Sequence, residues 1–236
     1  MKQLFAKLYK NSEESFYEIL RQNLNENKKM FIVTANPETF IMSEKDEEMK
    51  KLLLDKESIL VPDGIGVVKA ARLLNYDVKE RIAGIDIANK LLELGSVSKK
   101  TIYLFGAKQE VIDSMKAVLN EKYQGLKLVG SSNGYVQDKD KVFREISKLN
   151  PDIILVALGI PIQEKLIYKH LNEFNKGIFV GVGGSFDVIS GHKKRAPKIF
   201  VKLNLEWLYR IICEPKRIKR FYNNNVKFLL KVRKYK

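Results

Sequence analysis

The sequence predicts an α/β protein with a mostly parallel, Rossmann-like sheet and helices on both faces, followed by a basic amphipathic helical appendage. Three observations support this. Short apolar runs alternate with segments of helical periodicity along most of the chain. One run, Ile153 to Leu158, is apolar at every position, as a central parallel strand covered on both faces must be. Charge is uneven: residues 192–236 hold 15 Lys and Arg against only Glu206 and Glu214, a net of +13, whereas residues 1–191 are nearly neutral at +2. The expected division is therefore a body over 1–191 and an appendage over 192–236.

Taken in order, Phe16, Ile19, Leu20 and Leu24 give a helix over 13–24, and Phe31-Ile32-Val33 reads as a short buried strand. That strand ends at Thr34-Ala35-Asn36-Pro37-Glu38. Pro37 suits the first turn of a helix, which is expected over 37–55, and Thr34 or Asn36 can cap it. Small polar side chains at a strand's C-terminal end also mark where such sheets bind ligands, so capping and binding are equally open for both residues.

A second strand ends in Val61-Pro62-Asp63-Gly64-Ile65-Gly66, the stretch around which the chain is organised. Pro62 forbids a further ladder donor and the glycines allow a tight turn into a helix near Val67, which aims Asp63 into a crevice. The plain alternative is that Asp63 caps that helix. Arg81-Ile82-Ala83-Gly84 opens the next helix, through about Leu94, and a lone arginine such as Arg81 is by default a solvated charge. The run 101–105 is a strand followed by Gly106-Ala107-Lys108 and a helix over 109–123. It lacks both the further glycines of a dinucleotide fingerprint and the GK[ST] of a phosphate-binding P-loop.

A short strand over 127–130 and a helix over 139–149 precede the central strand. Gly159-Ile160-Pro161-Ile162-Gln163-Glu164-Lys165 then turns into a helix running to about Phe174, with Gln163 and Glu164 at its start. The last strand, over 178–182, leads into Gly183-Gly184-Ser185. These residues are either a backbone cradle for an anion such as a diphosphate or a tight turn with a serine cap. Thr34, Asn36, Asp63, Gln163 and 183–185 all fall at the C-terminal ends of expected strands. That agreement favours a shared crevice over scattered caps.

The appendage carries the only tryptophan, Trp207, in an apolar-periodic segment over 198–213 that Glu214-Pro215 breaks. Beyond it, Ile218, Phe221, Tyr222, Leu229 and Val232 are expected on one helical face, with Lys216, Arg220, Lys227, Lys231 and Lys234 opposite. Aromatic residues accompany the basic ones, so an anionic membrane surface ranks first as partner, packing on the body second and nucleic acid third. A single cysteine, Cys213, excludes a disulfide framework and a multi-cysteine zinc site. The chain shows neither a signal peptide nor the roughly 20 apolar residues of a membrane span, and is expected to be cytoplasmic.

The motifs quoted above, together with Gly181-Val182-Gly183-Gly184-Ser185-Phe186-Asp187, Lys194-Arg195-Ala196-Pro197, Glu206-Trp207-Leu208-Tyr209-Arg210 and Glu214-Pro215 with Arg217 and Arg220, resemble the WecG/TagA/CpsF glycosyltransferases. The resemblance covers about residue 28 to the C-terminus, and Ala35 stands where the family often has proline. It implies a UDP-sugar donor, typically UDP-N-acetylmannosamine, and a polyprenyl-diphosphate-linked N-acetylglucosamine acceptor in teichoic acid or another surface polysaccharide. It further implies inverting, metal-independent transfer without a cofactor, on the inner face of the cell membrane.

Carried onto this chain, the resemblance makes Asp63 the general base. Thr34, Asn36, Arg81 and Gln163 line the pocket, and Arg210, Arg217 and Arg220 close over the departing diphosphate. Arginine's planar, permanently charged fork suits a leaving diphosphate. A chain ending before about Lys194 is then expected to fold yet lose transfer. Self-association through the apolar face of the appendage also stays open. The rivals are a nucleotide- or nucleic-acid-binding module with a basic tail, disfavoured by the near-neutral body, and an NAD-linked enzyme, disfavoured by the missing glycines.

Overall fold

The computed structural model describes residues 1–234. Six strands form one parallel sheet: β1 (Lys29–Ala35), β2 (Ser58–Pro62), β3 (Thr101–Gly106), β4 (Lys127–Ser132), β5 (Ile153–Ala157) and β6 (Gly177–Gly181), in the order β2-β1-β6-β5-β3-β4. Every neighbouring pair is parallel, so each connection returns over a face and all strands end on the same edge. β5 and β6 are buried at every residue, as their unbroken apolar runs require.

Alternation along each strand divides the core in two. Phe31, Val33, Phe105 and Phe179 pack on one face with Phe40, Met49, Val67 and Phe143; Ile32, Leu104, Leu155 and Val180 pack on the other with Leu91, Met115 and Phe186. The helix after β1, Pro37–Ser43, lies on the first face, and the one after β6, Ser185–Ile189, on the second. Adjacent strands β1 and β6 therefore send their chains apart, which opens a crevice at the C-terminal edge between them.

Local chemistry accounts for the departures from the sequence reading. The helix expected over 37–55 is two helices, Pro37–Ser43 and Glu47–Leu54, because Asp46 accepts a hydrogen bond from the Met49 amide (3.0 Å) and caps the second. The first residues form a helix, Lys2–Lys7, whose Leu4 and Phe5 join the core. The Tyr9 amide donates to the Leu60 carbonyl (2.7 Å) along β2.

The appendage contains helices Lys198–Lys202, Glu206–Cys213, Arg217–Phe221 and Lys227–Arg233, the last two joined by a π-helical stretch, Tyr222–Val226. Its expected apolar face is split. Val232 is fully buried, together with Phe228, whose ring lies 5.3 Å from Phe40 and 6.1 Å from Phe5, whereas Ile218, Tyr222 and Leu229 are exposed. The π stretch is the cause: its wider turn rotates everything beyond it relative to a regular helical wheel. The basic face is also partly turned inward, with Lys231 paired to Glu44 and Arg220 to Glu38 (2.7 Å). Packing on the body, the second-ranked fate of this helix, thus accounts for Phe228 and Val232.

Since these two side chains complete the core around Phe5 and Phe40, a chain ending before Lys194 loses core as well as appendage. Phe228→Ala should destabilise the protein by about 3–5 kcal/mol. Urea denaturation followed by circular dichroism measures this, and a change under 1 kcal/mol would mean that the last helix does not dock in solution.

Candidate active site

The residues singled out at strand ends come from four consecutive strands, β2, β1, β6 and β5, so they form one row along the edge of the crevice. Backbone bonds tie the row together. The Asp63 amide donates to the Ala35 carbonyl (3.0 Å), the Ile82 amide to the Pro62 carbonyl (2.9 Å), and the Val182 amide to the Val156 carbonyl (2.8 Å). Gly64, at φ +102°, supplies the left-handed turn that releases the chain from β2 into helix Ile65–Leu73.

Asp63 does not cap that helix by a side-chain bond; the capping position is taken by Gly64. Its carboxyl is raised above the ordinary range, first by burial. The Arg81 and Arg210 guanidiniums and the Gly84 amide, at the start of helix Gly84–Val97, oppose that rise, and Glu206 adds to it. Among the described residues no ion pair is made to Asp63 itself. A carboxylate made more basic by burial, with its lone pairs uncommitted to a cation, is suited to take a proton from a hydroxyl.

Around it the side chains differ in how far they are occupied. Thr34 is buried; its hydroxyl donates to the Gly181 carbonyl (3.3 Å), and its methyl abuts Gly84. Asn36 caps helix Pro37–Ser43, its Oδ1 accepting from the amides of Glu38 (2.9 Å) and Thr39 (3.2 Å). No hydrogen bond among the described residues uses its Nδ2. Gln163 is buried, and its Oε1 accepts from the amides of Gly159 (3.0 Å) and Gly183 (3.2 Å), which ties the β5 and β6 loops together. A Cβ at Gly181 would come within 2.5 Å of the Gln163 Nε2, which explains the glycine there. In the 183–185 turn, the Ser185 amide and hydroxyl both donate to the Val182 carbonyl (3.0 and 2.8 Å), leaving the Gly184 amide uncommitted in that turn.

The appendage brings its cations to the same edge. Arg210 faces Asp63 and has no carboxylate within ion-pair distance among the described residues. Arg220 grips Glu38 with two nitrogens (2.7 and 3.2 Å), immediately after Asn36 and Pro37 in the chain. Arg217 is paired with Glu214 (2.7 Å), whose carboxyl is drawn down to about 2 by Arg217 and Lys193. Arg81 is no solvated charge: it pairs with buried Glu206. Arg195 in turn binds Asp86 (2.7 Å) and lies 3.8 Å from Glu206. Among the described residues no group of three or more His, Cys, Asp or Glu side chains is placed to hold a metal ion.

Sequence reasoning passed over Glu206, Arg195 and Glu164 as members of the site. Glu206 had a signal, as one of only two acids in a segment of net +13. Glu164 was marked only by its place at a helix start beside Gln163. It is buried beside Gln163, whose Nε2 donates to its Oε1 (2.8 Å), its Oε2 has no partner, and burial lifts its carboxyl to about 7.

The model of the glycosyl transferase WecG/TagA/CpsF family matches residues 3–236. The chain belongs to this family. It is 46% identical over 189 residues to a protein of Bacillus subtilis named N-acetylglucosaminyldiphosphoundecaprenol N-acetyl-beta-D-mannosaminyltransferase, with 80% of this chain and 73% of that one covered. Proteins of the same name from Bacillus spizizenii (40% over 197 residues, 84% and 76% covered) and Staphylococcus aureus (38% over 208 residues, 88% and 81% covered) are also similar. This glycosyltransferase therefore carries its family motifs on one edge of the sheet, with the appendage folded over them. Among its described residues no helix is long and apolar enough to cross a membrane.

Glu164 makes a testable contribution to stability. Its folded pKa, about 7, lies above the ordinary carboxylate value, so the folded state keeps a proton that the unfolded state has lost. Stability should then fall by about 3 kcal/mol as pH rises from roughly 4.5 through 7. Glu164→Gln should remove that fall, so that urea midpoints of variant and parent diverge at pH 8 and converge at pH 5. Parallel midpoints at both pH values would refute the assignment.

Proposed function

We propose that this enzyme moves N-acetylmannosamine from its UDP-linked donor to the N-acetylglucosamine of a polyprenyl-diphosphate acceptor, a step of wall teichoic acid synthesis, with inversion and without a metal. The observation that carries the reading is Asp63, made more basic by burial and facing arginines from two different segments. Asp63 takes the proton of the acceptor hydroxyl, whose oxygen attacks the anomeric carbon while the bond to UDP breaks on the opposite side. The similar proteins are named for a β-linked product, and a β product from an α-linked nucleotide sugar requires one inversion, hence one base.

Charge develops on the UDP diphosphate as the bond breaks. Arg210 stands ready to meet it, and Arg220 and Arg217 reach it by exchanging Glu38 and Glu214 for phosphate oxygens, a substitution of one oxyanion for another. The Asn36 Nδ2 and the Gly184 amide are the uncommitted donors at the crevice for the sugar and diphosphate, whereas Thr34 and Gln163 act by fixing the loops that shape it.

The acceptor's lipid requires the enzyme to work at a bilayer. Among the described residues, eight of thirteen markedly exposed large hydrophobic side chains lie in the appendage, including Ile199, Leu203, Ile212, Ile218 and Leu230, interspersed with Lys198, Lys202, Lys216 and Lys219. Such a surface suits the interface of an anionic membrane, where each basic residue contributes about 1 kcal/mol. In this reading the surface that binds lipid and the arginines that complete the site belong to one segment.

Purified enzyme given a GlcNAc-diphospho-lipid should release UDP from UDP-ManNAc in the presence of EDTA, faster than from UDP-GlcNAc or UDP-glucose. Asp63→Asn should reduce the rate by about 10²–10⁴. As the Asp63 pKa is raised, kcat/KM should fall on acidification at a pH above the ordinary carboxylate range. Turnover retained by Asp63→Asn would exclude it as the base, and loss with EDTA would exclude metal independence. Separately, the protein should sediment with phosphatidylglycerol vesicles but not with phosphatidylcholine ones. Leu203→Glu with Ile218→Glu should abolish this; sedimentation unaffected by both changes would rule out the appendage as the membrane surface.

A further inference from the structure

A buried ion pair joins the appendage to the catalytic edge, and its placement assigns Glu206 a part in the chemistry. Arg81 stands next to the backbone that anchors Asp63, since the Ile82 amide donates to the Pro62 carbonyl (2.9 Å). A guanidinium so placed has a carboxylate within reach, and a direct Arg81 pair would occupy the lone pair that Asp63 needs and depress its basicity. The structure shows a different pairing. Arg81 is turned onto Glu206, which enters from helix Glu206–Cys213 of the appendage and is only 7% exposed.

The surrounding charges support that choice of partner. One Glu206 oxygen takes Arg81, while the other has no hydrogen bond and lies 3.8 Å from the Arg195 Nε. Arg195 is itself anchored to Asp86 on helix Gly84–Val97 (2.7 Å), and Glu13, on helix Glu13–Asn25, faces both Arg81 and Asp86. The groups bearing on Asp63 are Arg81, Arg210, Glu206 and the Gly84 amide. Two of them, Arg210 and Glu206, arrive with the appendage.

We propose that Glu206 is a positioning residue that holds the Arg81 guanidinium off Asp63, so that the base keeps a free lone pair only while the appendage is docked. With the appendage undocked, Arg81 has lost its partner and falls onto Asp63, which silences the base. Docking thus supplies a cation for the leaving group and, through Glu206, withdraws a cation from the base. The inference rests on the reading of Asp63 as the general base.

The test is a titration of the full-length protein carrying ¹³C-carboxyl aspartate, with the Asp63 resonance assigned by its loss in Asp63→Asn. Glu206→Gln should lower the Asp63 midpoint by at least about one pH unit, the size of an arginine contact, and reduce kcat/KM by about tenfold or more, with the acid limb of the pH profile displaced in the same direction. Glu206→Asp, which keeps the charge, should retain most of both, and adding Arg81→Gln to Glu206→Gln should bring the midpoint back up. Loss of activity in Glu206→Gln with an unmoved midpoint would reduce Glu206 to a structural contact and overturn the proposal.

Should Glu206→Gln fail to fold, Arg81→Gln probes the same arrangement from the other side. With the guanidinium already held by Glu206, its removal should raise the Asp63 midpoint by less than about one pH unit; a larger rise would place Arg81 on Asp63 from the start and overturn the proposal. The titration needs no turnover. Full activity in Asp63→Asn would therefore defeat the base assignment alone, and an unmoved midpoint would defeat the Glu206 proposal alone.

Discussion

Parallel pairing of six strands is the constraint from which the site follows. Because every strand runs the same way, the chain leaves every strand at one edge, so the loops that lead from strand to helix are gathered there. Along that edge β1 and β6 are neighbours whose following helices cover opposite faces, and their divergence opens the crevice. Asp63, Thr34, Asn36, Gln163 and the 183–185 turn owe their proximity to this geometry, although more than 150 residues separate the first from the last in the chain.

Polar tie bonds then fix the crevice walls. Thr34 joins β1 to β6 through the Gly181 carbonyl, and Gln163 bridges the amides of Gly159 and Gly183. Both residues therefore commit hydrogen-bonding capacity to the protein and hold the shape of the crevice. Glu164 beneath them is a cost of that arrangement: buried, half-satisfied and protonated near neutrality. The arginines are arranged differently: among the described residues Arg81, Arg217 and Arg220 each rest on a carboxylate, and Arg210 does not.

Two kinds of contact attach the appendage. Phe228 and Val232 insert into the core around Phe5 and Phe40, and ion pairs to Glu38, Glu44 and Arg81 cross at the surface and at the edge where the strands end. Ionic screening does not weaken the apolar insertion, whereas exposed pairs such as Arg220 with Glu38 weaken as salt rises. The same segment leaves hydrophobic residues such as Ile199, Leu203, Ile212 and Ile218 exposed, while Phe228 and Val232 near its end are held by the body.

Much of this protein was legible in its sequence. The alternation of strands and helices along the chain, the two-sided burial of residues 153–157, the turn around Asp63 and the family motifs follow from local patterns, because periodicity, glycine and proline act within a few residues of themselves. What the sequence left open was decided by contacts between distant segments. Local pattern gave Arg81 only the default of a surface charge, and the resemblance put it at the pocket; its pairing with Glu206 was invisible to both because that partner lies 125 residues away, and the helix expected on one apolar face was divided by a π turn whose phase no regular wheel contains. Asn36 satisfied its capping role in plain view, yet the closeness of Arg220 to its neighbour Glu38 required the fold. Local chemistry set which groups are offered at each strand end; only tertiary structure set which charges face one another, since a pairing energy depends on a distance that the chain's order does not specify.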